Sequence, residues 1–201
     1  LYRQLLERIA DGVPTGCVMA IDASGFTRSR VSHHYTERAG LHIQSLKTTV
    51  LVDCDEGWIL DVHMTTTRKH DTKIGPSLLR EIPRSTEILV ADKGYDDTSF
   101  RQDLRERGIE DQIKYREFPT VPEDVNAYLE ERSYSRRSFV ECVMFVLKQK
   151  FGDSVRSRDW DNQFKEMVGR SIVYNLDRMA QDLFNLFRLD GFGASLRFAV
   201  I

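Results

Sequence analysis

The sequence predicts one α/β domain with a mixed β-sheet flanked by helices, and three observations indicate this class. Short apolar runs typical of buried strands alternate with segments of helical spacing, which favours parallel strands joined by helices. Two other segments flank a tight turn and predict an antiparallel hairpin, which makes the sheet mixed. The chain has 201 residues, of which 41% are hydrophobic, enough for one sizeable core.

Five segments are predicted to be strands. They are residues 16–22, 42–52, 58–65, 87–92 and 111–115. The first and fourth are too short and too uniformly apolar for surface helices, and they end in the carboxylates of Asp22 and Asp92. The second and third are the hairpin, because they enclose the polar turn at 53–57.

Helical spacing predicts four helices after the hairpin, and an amphipathic helix opens the chain. The four are residues 72–82, 99–107, 136–150 and 160–187. Residues 119–132 are polar and irregular, which predicts a loop or an insertion. Trp160 and Phe164, on the last helix, are expected to belong to the core rather than to stack on bases.

Composition and charge exclude several classes of protein. The formal net charge of −2 excludes a globally basic surface, although it averages over faces of both signs. The cysteines Cys17, Cys54 and Cys142 form no CxxC pair, so no disulfide framework or structural zinc site is indicated and a cytoplasmic protein is expected. No apolar run approaches the ~20 residues of a membrane span, so no membrane partner is expected.

Three carboxylates are candidates for chemistry. Asp22 and Asp92 follow apolar strands, at the sheet edge where open α/β sheets bind ligands. The alternative is that each aspartate caps a turn or a helix. Glu141 lies within the third long helix beside its apolar stripe, where desolvating an unpaired carboxylate is costly. Its alternative role is an exposed partner of Arg137, four residues earlier.

Convergent carboxylates from separate elements suit a divalent metal ion. Their oxygens are the hard ligands that Mg²⁺ and Mn²⁺ prefer. Two such ions can activate a water or a 3′-hydroxyl and stabilise the leaving oxygen of a phosphoryl transfer. Asp22, Asp92 and Glu141 therefore predict a two-metal site for phosphoryl transfer.

Four residues around Glu141 form a signature at fixed spacing. They are Tyr134, Arg137, Glu141 and Lys148, separated by two, three and six residues. This spacing resembles the Tyr-x2-Arg-x3-Glu-x6-Lys signature of the DDE transposases of bacterial and archaeal insertion sequences.

The surroundings of the two aspartates are similar to the same family. Val-Ala-Asp92-Lys-Gly-Tyr-Asp resembles the family's second aspartate motif, and Ala-Ile-Asp22-Ala-Ser-Gly its first. His70-Asp71 also resembles the family, although an N-cap role for Asp71 at the helix near residue 72 is the simpler expectation. The resemblance runs from about residue 15 to residue 180.

This resemblance implies a ribonuclease H-like fold and a set of roles. Asp22, Asp92 and Glu141 would be the catalytic metal ligands, with two Mg²⁺ per site and Mn²⁺ as a substitute. Tyr134, Arg137 and Lys148 would hold transposon-end DNA by its phosphates, to which Arg offers a bidentate fork and Lys a point charge. Lys93 would be a further DNA contact or, alternatively, a solvated loop residue.

The implied reaction is metal-dependent DNA cleavage at transposon ends, followed by strand transfer into target DNA. The implied partners are the terminal inverted repeats, target DNA and further copies of the chain in the DNA complex, with a nucleoid location when on DNA. Two basic stretches agree with a DNA face: residues 25–50 carry four basic and one acidic side chains, and residues 136–170 eight and five. His33, His34, His42 and His63 show no metal-ligand spacing.

The resemblance also predicts a domain division and leaves two alternatives. Residues 1–12 would be the remnant of an N-terminal helical region, 13–187 the catalytic domain and 188–201 a tail. Because the chain opens inside a predicted helix without Met, further residues are expected upstream. The alternatives are a plain ribonuclease H-like nuclease, against which the Tyr, Arg and Lys of the signature argue, and a catalytically silent DNA-binding remnant.

Overall fold

The structure is a computed structural model in which residues 2–12, 14–28, 38, 45–65, 70–116, 126, 128–129 and 133–189 are described. Most of the predicted loop at 119–132, residues 190–201 of the predicted tail, and His33, His34 and His42 lie outside the described residues.

The described strands form one five-stranded sheet. They are β1 (Val18–Thr27), β2 (Ser45–Asp53), β3 (Ile59–Thr65), β4 (Ile88–Ala91) and β5 (Glu110–Ile113). Their order across the sheet is β3-β2-β1-β4-β5. The β1–β2 and β2–β3 pairs are antiparallel, whereas the β1–β4 and β4–β5 pairs are parallel. The predicted mixed sheet and its hairpin are therefore confirmed.

Five α-helices and three short 3₁₀ helices complete the described elements. The α-helices are α1 (Tyr2–Asp11), α2 (Asp71–Leu78), α3 (Thr98–Glu106), α4 (Arg137–Phe151) and α5 (Trp160–Leu189). The 3₁₀ helices are Leu79–Glu81, Lys93–Tyr95 and Ser133–Arg136. Every helix predicted from spacing is present, with its ends shifted by a few residues. Within these residues, no helix is both long and apolar enough to cross a bilayer.

The central strand β1 is buried on both faces, which explains its uniformly apolar start. Val18 and Ala20 pack into one core with α4 and α5, and Met19 and Ile21 into a second core with α2 and α3. Side chains alternate between the two faces of a strand, so two covered faces require an unbroken apolar run. Helix α1 joins the first core through Leu6.

Strand β1 continues beyond its predicted end at Asp22. It pairs with β4 only as far as Ile21, but its ladder with β2 continues to Thr27. The prediction was wrong here because residues 23–25 are small or polar, yet β2 supplies backbone partners for all of them. Asp22 therefore lies inside a paired strand.

The expectation for the aromatic residues of α5 is half right. Phe164 packs against the first core, as predicted. Trp160 is 40% exposed and is not a core residue, because it opens α5 before the helix reaches the sheet. The three cysteines are unpaired, as the absence of a CxxC motif predicted.

A buried asparagine attaches α5 to the sheet. The register of β2 and β3 shifts between Leu51 and Val52, opposite the start of β3. Ile59 there donates its N–H to Asn175 Oδ1 at 3.0 Å and accepts from Asn175 Nδ2 at 2.8 Å. Asn175 is fully buried, and its amide pairs both backbone groups of Ile59 on β3, which is the edge strand of the described sheet.

Replacing Asn175 by Leu is expected to destabilise the domain strongly. The variant leaves a buried N–H and a buried C=O of Ile59 unpaired, and we expect the free energy of unfolding to fall by roughly 3 kcal/mol in urea titrations. Gln181→Leu, at an exposed position of the same helix, is the control and should change it by less than about 0.5 kcal/mol. Equal small effects of both variants would contradict the attachment.

Candidate active site

The two predicted aspartates lie where β1 and β4 run in parallel. Their pairing ends at Ile21 and Ala91, so Asp22 and Asp92 occupy the next position along each chain. Equivalent positions on adjacent parallel strands lie side by side. The structure therefore brings both carboxylates to one edge of the sheet.

Backbone hydrogen bonds orient one oxygen of each aspartate. Asp22 Oδ1 accepts from Ala23 N at 2.8 Å, and Asp92 Oδ1 accepts from Gly94 N at 2.6 Å. The second bond makes Asp92 the N-cap of the helix Lys93–Tyr95, which is the capping role considered as its alternative. The capping bond also orients the carboxylate, so the two roles are compatible.

Arg137 connects the sheet to the acid on α4. Its Nη1 donates to Asp22 Oδ2 at 3.2 Å, and its Nη2 donates to Glu141 Oε1 at 2.5 Å. Arg137 and Glu141 are one helical turn apart, so the spacing that the sequence shows places them on one face. The guanidinium thus lies between an acid of the sheet and an acid of the helix.

Glu141 is more exposed than its sequence neighbours suggest. Its side chain is 52% exposed, so the prediction that its carboxylate would be costly to desolvate is wrong. The buried face of α4 is formed by Val140, Val143 and Leu147, and Glu141 lies at its margin. The alternative considered above, a solvated partner of Arg137, describes its geometry.

A pocket adjoins Asp92 and Arg137. Its lining residues are Asp92, Lys93, Lys114, Tyr115, Asn126, Tyr134 and Arg137. Tyr134 is only 9% exposed, and Lys114 Nζ lies 4.8 Å from the centre of its ring. The pocket combines a carboxylate with cations and aromatic rings, and it gathers four of the predicted site residues.

Lys148 lies outside this pocket. It is about 10 Å along α4 from Glu141, and its Nζ is 5.3 Å from the centre of the Phe26 ring. Phe26 follows Asp22 by four residues on β1, so α4 lies along β1 from Asp22 towards Phe26. Arg137 and Lys148 therefore form a row of cations along β1, and Lys148 does not join the carboxylates.

The three acids affect one another electrostatically. Burial raises the pKa of Asp22, and the carboxylates of Asp92 and Glu141 raise it further. The Ala23 N–H and Arg137 lower it, but the pKa remains above its usual value. Burial lowers the pKa of Arg137, but the interactions with Tyr134 and with the three acids raise it by more. The pKa is therefore above its usual value, and Arg137 stays cationic.

The donor set fits a hard divalent cation. All three acids offer oxygen, the ligand type of Mg²⁺ and Mn²⁺, and their mutual repulsion favours a bound positive charge. Among the described residues, no three Asp, Glu, His or Cys side chains converge around one point as they stand. The Arg137 guanidinium separates Asp22 from Glu141 and supplies that positive charge.

Residues 14–176 match the family described as the transposase DDE domain, which includes both aspartates and the whole signature around Glu141. The chain belongs to this family. The resemblance inferred from the motifs is therefore confirmed.

Known relatives of this DDE domain agree with the assignment. The chain is 30% identical over 118 residues, or 59% of its length, to the transposase for insertion sequence element IS1106 of Neisseria meningitidis serogroup B. It covers 38% of that relative. The fold is also similar to a structure of the piggyBac transposase synaptic complex with hairpin DNA, and the match covers 87% of this chain and 51% of the piggyBac chain. The TM-score is 0.51 and the sequence identity is 9%. That likeness shows the fold, the predicted ribonuclease H-like α/β class.

The structure adds residues to the site of the DDE domain that the sequence analysis missed. Strand β5 ends at Ile113, so Lys114 and Tyr115 belong to the pocket and not, as predicted, to the strand. The signal for them was the basic and aromatic run at 114–116 directly after a strand. The predicted N-cap role of Asp71 is wrong, because the N-cap of α2 is His70 and Asp71 pairs with Lys47 instead.

Asp22→Asn is expected to stabilise the metal-free domain at neutral pH. Because the folded state raises the pKa of Asp22, protonated Asp22 contributes stability below the unfolded pKa of about 4, and this contribution is lost as pH rises through the folded pKa. Asn resembles the protonated form. In EDTA, the variant should therefore have the higher Tm at pH 7, and its advantage should shrink towards pH 4.

Asp97→Asn is the control of opposite sign. Hydrogen bonds from the Ser99 hydroxyl and the Phe100 N–H lower the pKa of Asp97, so its ionised form contributes stability above the unfolded pKa and loses it in acid. This variant should have a lower Tm than wild type at pH 7. A lower Tm for Asp22→Asn as well would contradict the inferred electrostatics.

Proposed function

We propose that this DDE domain carries out DNA cleavage at the ends of an insertion sequence and joins the ends to target DNA. The observation that carries the proposal is the guanidinium of Arg137, which bonds Asp22 on β1 and Glu141 on α4, while Asp92 follows the parallel neighbour β4 at the position next to Asp22. Asp22, Asp92 and Glu141 are the proposed ligands of two Mg²⁺, with Mn²⁺ as a substitute. Bound there, the ions would polarise the scissile phosphate and lower the pKa of the attacking hydroxyl.

The chain's own residues prepare the carboxylates for this role. The hydrogen bonds from Ala23 N and Gly94 N each fix one oxygen of an aspartate, so the position of its partner oxygen is also defined. Both aspartates stand on paired strands or their ends, which are rigid supports. Glu141 is half exposed on α4, and Arg137, which bonds both Glu141 and Asp22, holds its carboxylate towards the sheet.

The pocket and the row of cations are proposed to hold the DNA backbone. Arg137 lies at their junction and offers a bidentate fork to a phosphate, in place of its present carboxylate partners. Lys93 and Tyr134 line the pocket beside Asp92, and Lys148 lies further along β1. A phosphate near Arg137 would therefore place the adjoining bond beside the three acids.

The wider assembly is also proposed. Terminal inverted repeats and target DNA are the proposed partners, and joining two ends requires at least two copies of the chain. The piggyBac transposase, which shares the fold, is seen in a synaptic complex with hairpin DNA. The division into segments 1–12, 13–187 and 188–201 and the cytoplasmic, DNA-associated location stay predictions.

The test is an end-cleavage and strand-transfer assay with the full-length gene product. DNA carrying the element's own ends is incubated with Mn²⁺, and cleaved and joined products are separated on gels. We expect Mn²⁺-dependent joining in the wild type and a loss on the order of 100-fold or more in Glu141→Gln, because the variant removes a ligand charge. Asp103→Asn, at an exposed position of α3, should be fully active.

Each other outcome overturns a definite part of the proposal. Persistent joining by Glu141→Gln would remove Glu141 from the active site. Cleavage without joining would indicate a plain nuclease. A wild-type protein that binds the ends but neither cleaves nor joins them would indicate a catalytically silent remnant.

A further inference from the structure

An ion pair lies behind the Asp92 turn, on the opposite face of the sheet from α4. Lys47 Nζ is 2.7 Å from Asp71 Oδ1, and the two side chains are 28% and 24% exposed. On β2, the side chains of Leu46 and Val50 lie on the face of the sheet that packs into the first core, and Lys47 occupies a position of the opposite face. Lys47 therefore points to the second core, and Asp71 reaches it from the first residue of α2.

Asp71 has no capping role that would explain its position. The N-cap of α2 is His70, and no side-chain hydrogen bond caps the helix. Oδ1 of Asp71 is buried. The first turn of a helix favours a carboxylate, but burial of Oδ1 is costly, and Lys47 compensates that cost.

Gly94 shows that Asp71 lies against the turn that carries Asp92. A Cβ at Gly94 would lie 2.7 Å from Asp92 Oδ1 and 3.1 Å from Asp71 Oδ2. Both carboxylates thus occupy the space that a side chain at position 94 would need, and only glycine leaves room for them. The N–H of the same glycine holds Asp92 Oδ1 at 2.6 Å.

Tyr95 fills the space beneath the turn. Its side chain is fully buried in the second core. Burial raises the pKa of Tyr95, and the charges of Asp71, Asp22 and Asp92 raise it further, so the hydroxyl stays protonated. Asp71 therefore acts electrostatically on the same buried group as two of the proposed metal ligands.

We propose that the Lys47–Asp71 pair fixes the turn at 92–94 and that Asp71 is a positioning residue for Asp92. The pair connects β2 and α2 to the turn, and the Lys47 charge allows Asp71 to stand next to Asp92 without repelling it from its place. The inference rests on the proposed function, because it assigns Asp71 to the support of a proposed metal ligand.

The test is the affinity of the full-length protein for Mn²⁺, measured by the electron paramagnetic resonance signal of the free ion. We expect Asp71→Asn and Lys47→Met each to weaken Mn²⁺ binding by about tenfold, the lower end of the effect of outer-shell partners. The double variant should resemble either single variant, because both remove one interaction. Asp71→Glu, which keeps the charge, should recover part of the affinity.

The two single variants distinguish a positioning role of Asp71 from an effect of its negative charge alone. If Asp71 acted only through its negative charge, Lys47→Met would strengthen Mn²⁺ binding while Asp71→Asn weakened it, and that result would overturn the proposal. In the DNA assay, the two variants should lower kcat while the KM for end DNA stays unchanged. If Asp71→Asn does not fold, the Mn²⁺ affinity of Lys47→Met alone tests the proposal.

Asp97→Ala is the matched control for a merely structural acid. Asp97 caps α3 through Ser99 N and Phe100 N, so its loss should lower Tm by about 2–4 °C with no change in Mn²⁺ affinity. The same behaviour in Asp71→Asn would overturn the inference. If Asp92→Asn abolishes Mn²⁺ binding in that experiment, the proposed function stands; wild-type binding that does not depend on Asp92 would overturn both.

Discussion

The site depends on the compensation of like charges by one cation. Asp22 and Asp92 lie side by side at one edge of the sheet, and burial together with the charges of Asp92 and Glu141 raises the pKa of Asp22. Arg137 lies between Asp22 and Glu141 and offsets part of the negative charge. In the proposed function, a divalent ion would take the place of the positive charge that Arg137 supplies between Asp22 and Glu141.

The parallel pairing of β1 with β4 places the two aspartates of the sheet side by side. β1 pairs antiparallel with β2 on one side and parallel with β4 on the other, so Asp22 and Asp92 leave the same edge. The two cores hold β1 and β4 from both faces, and the Asn175 amide attaches α5 where the β2–β3 register is irregular. The acids on the sheet are therefore held firmly, whereas Glu141 on α4 remains exposed.

Periodicity and motif spacing predicted most of the fold and the identities of the acids. The hairpin, the buried strands and the pairing of Arg137 with Glu141 follow from local pattern, because they depend on residues close in sequence. The extension of β1 to Thr27 depends on pairing with β2, and the placement of Asp71 depends on Lys47 from another strand. Such contacts between distant segments leave no periodic signal in the sequence.

We propose that Arg137 occupies the place that a divalent ion takes beside Asp22 in the active protein. A crystal structure of the protein soaked in Mn²⁺, with anomalous differences collected at the manganese edge, tests this most directly. We expect an anomalous peak bound by Asp22 and Asp92, with the Arg137 guanidinium moved away from Asp22. An Arg137 that still bridges Asp22 and Glu141, with Mn²⁺ bound elsewhere or not at all, would contradict it.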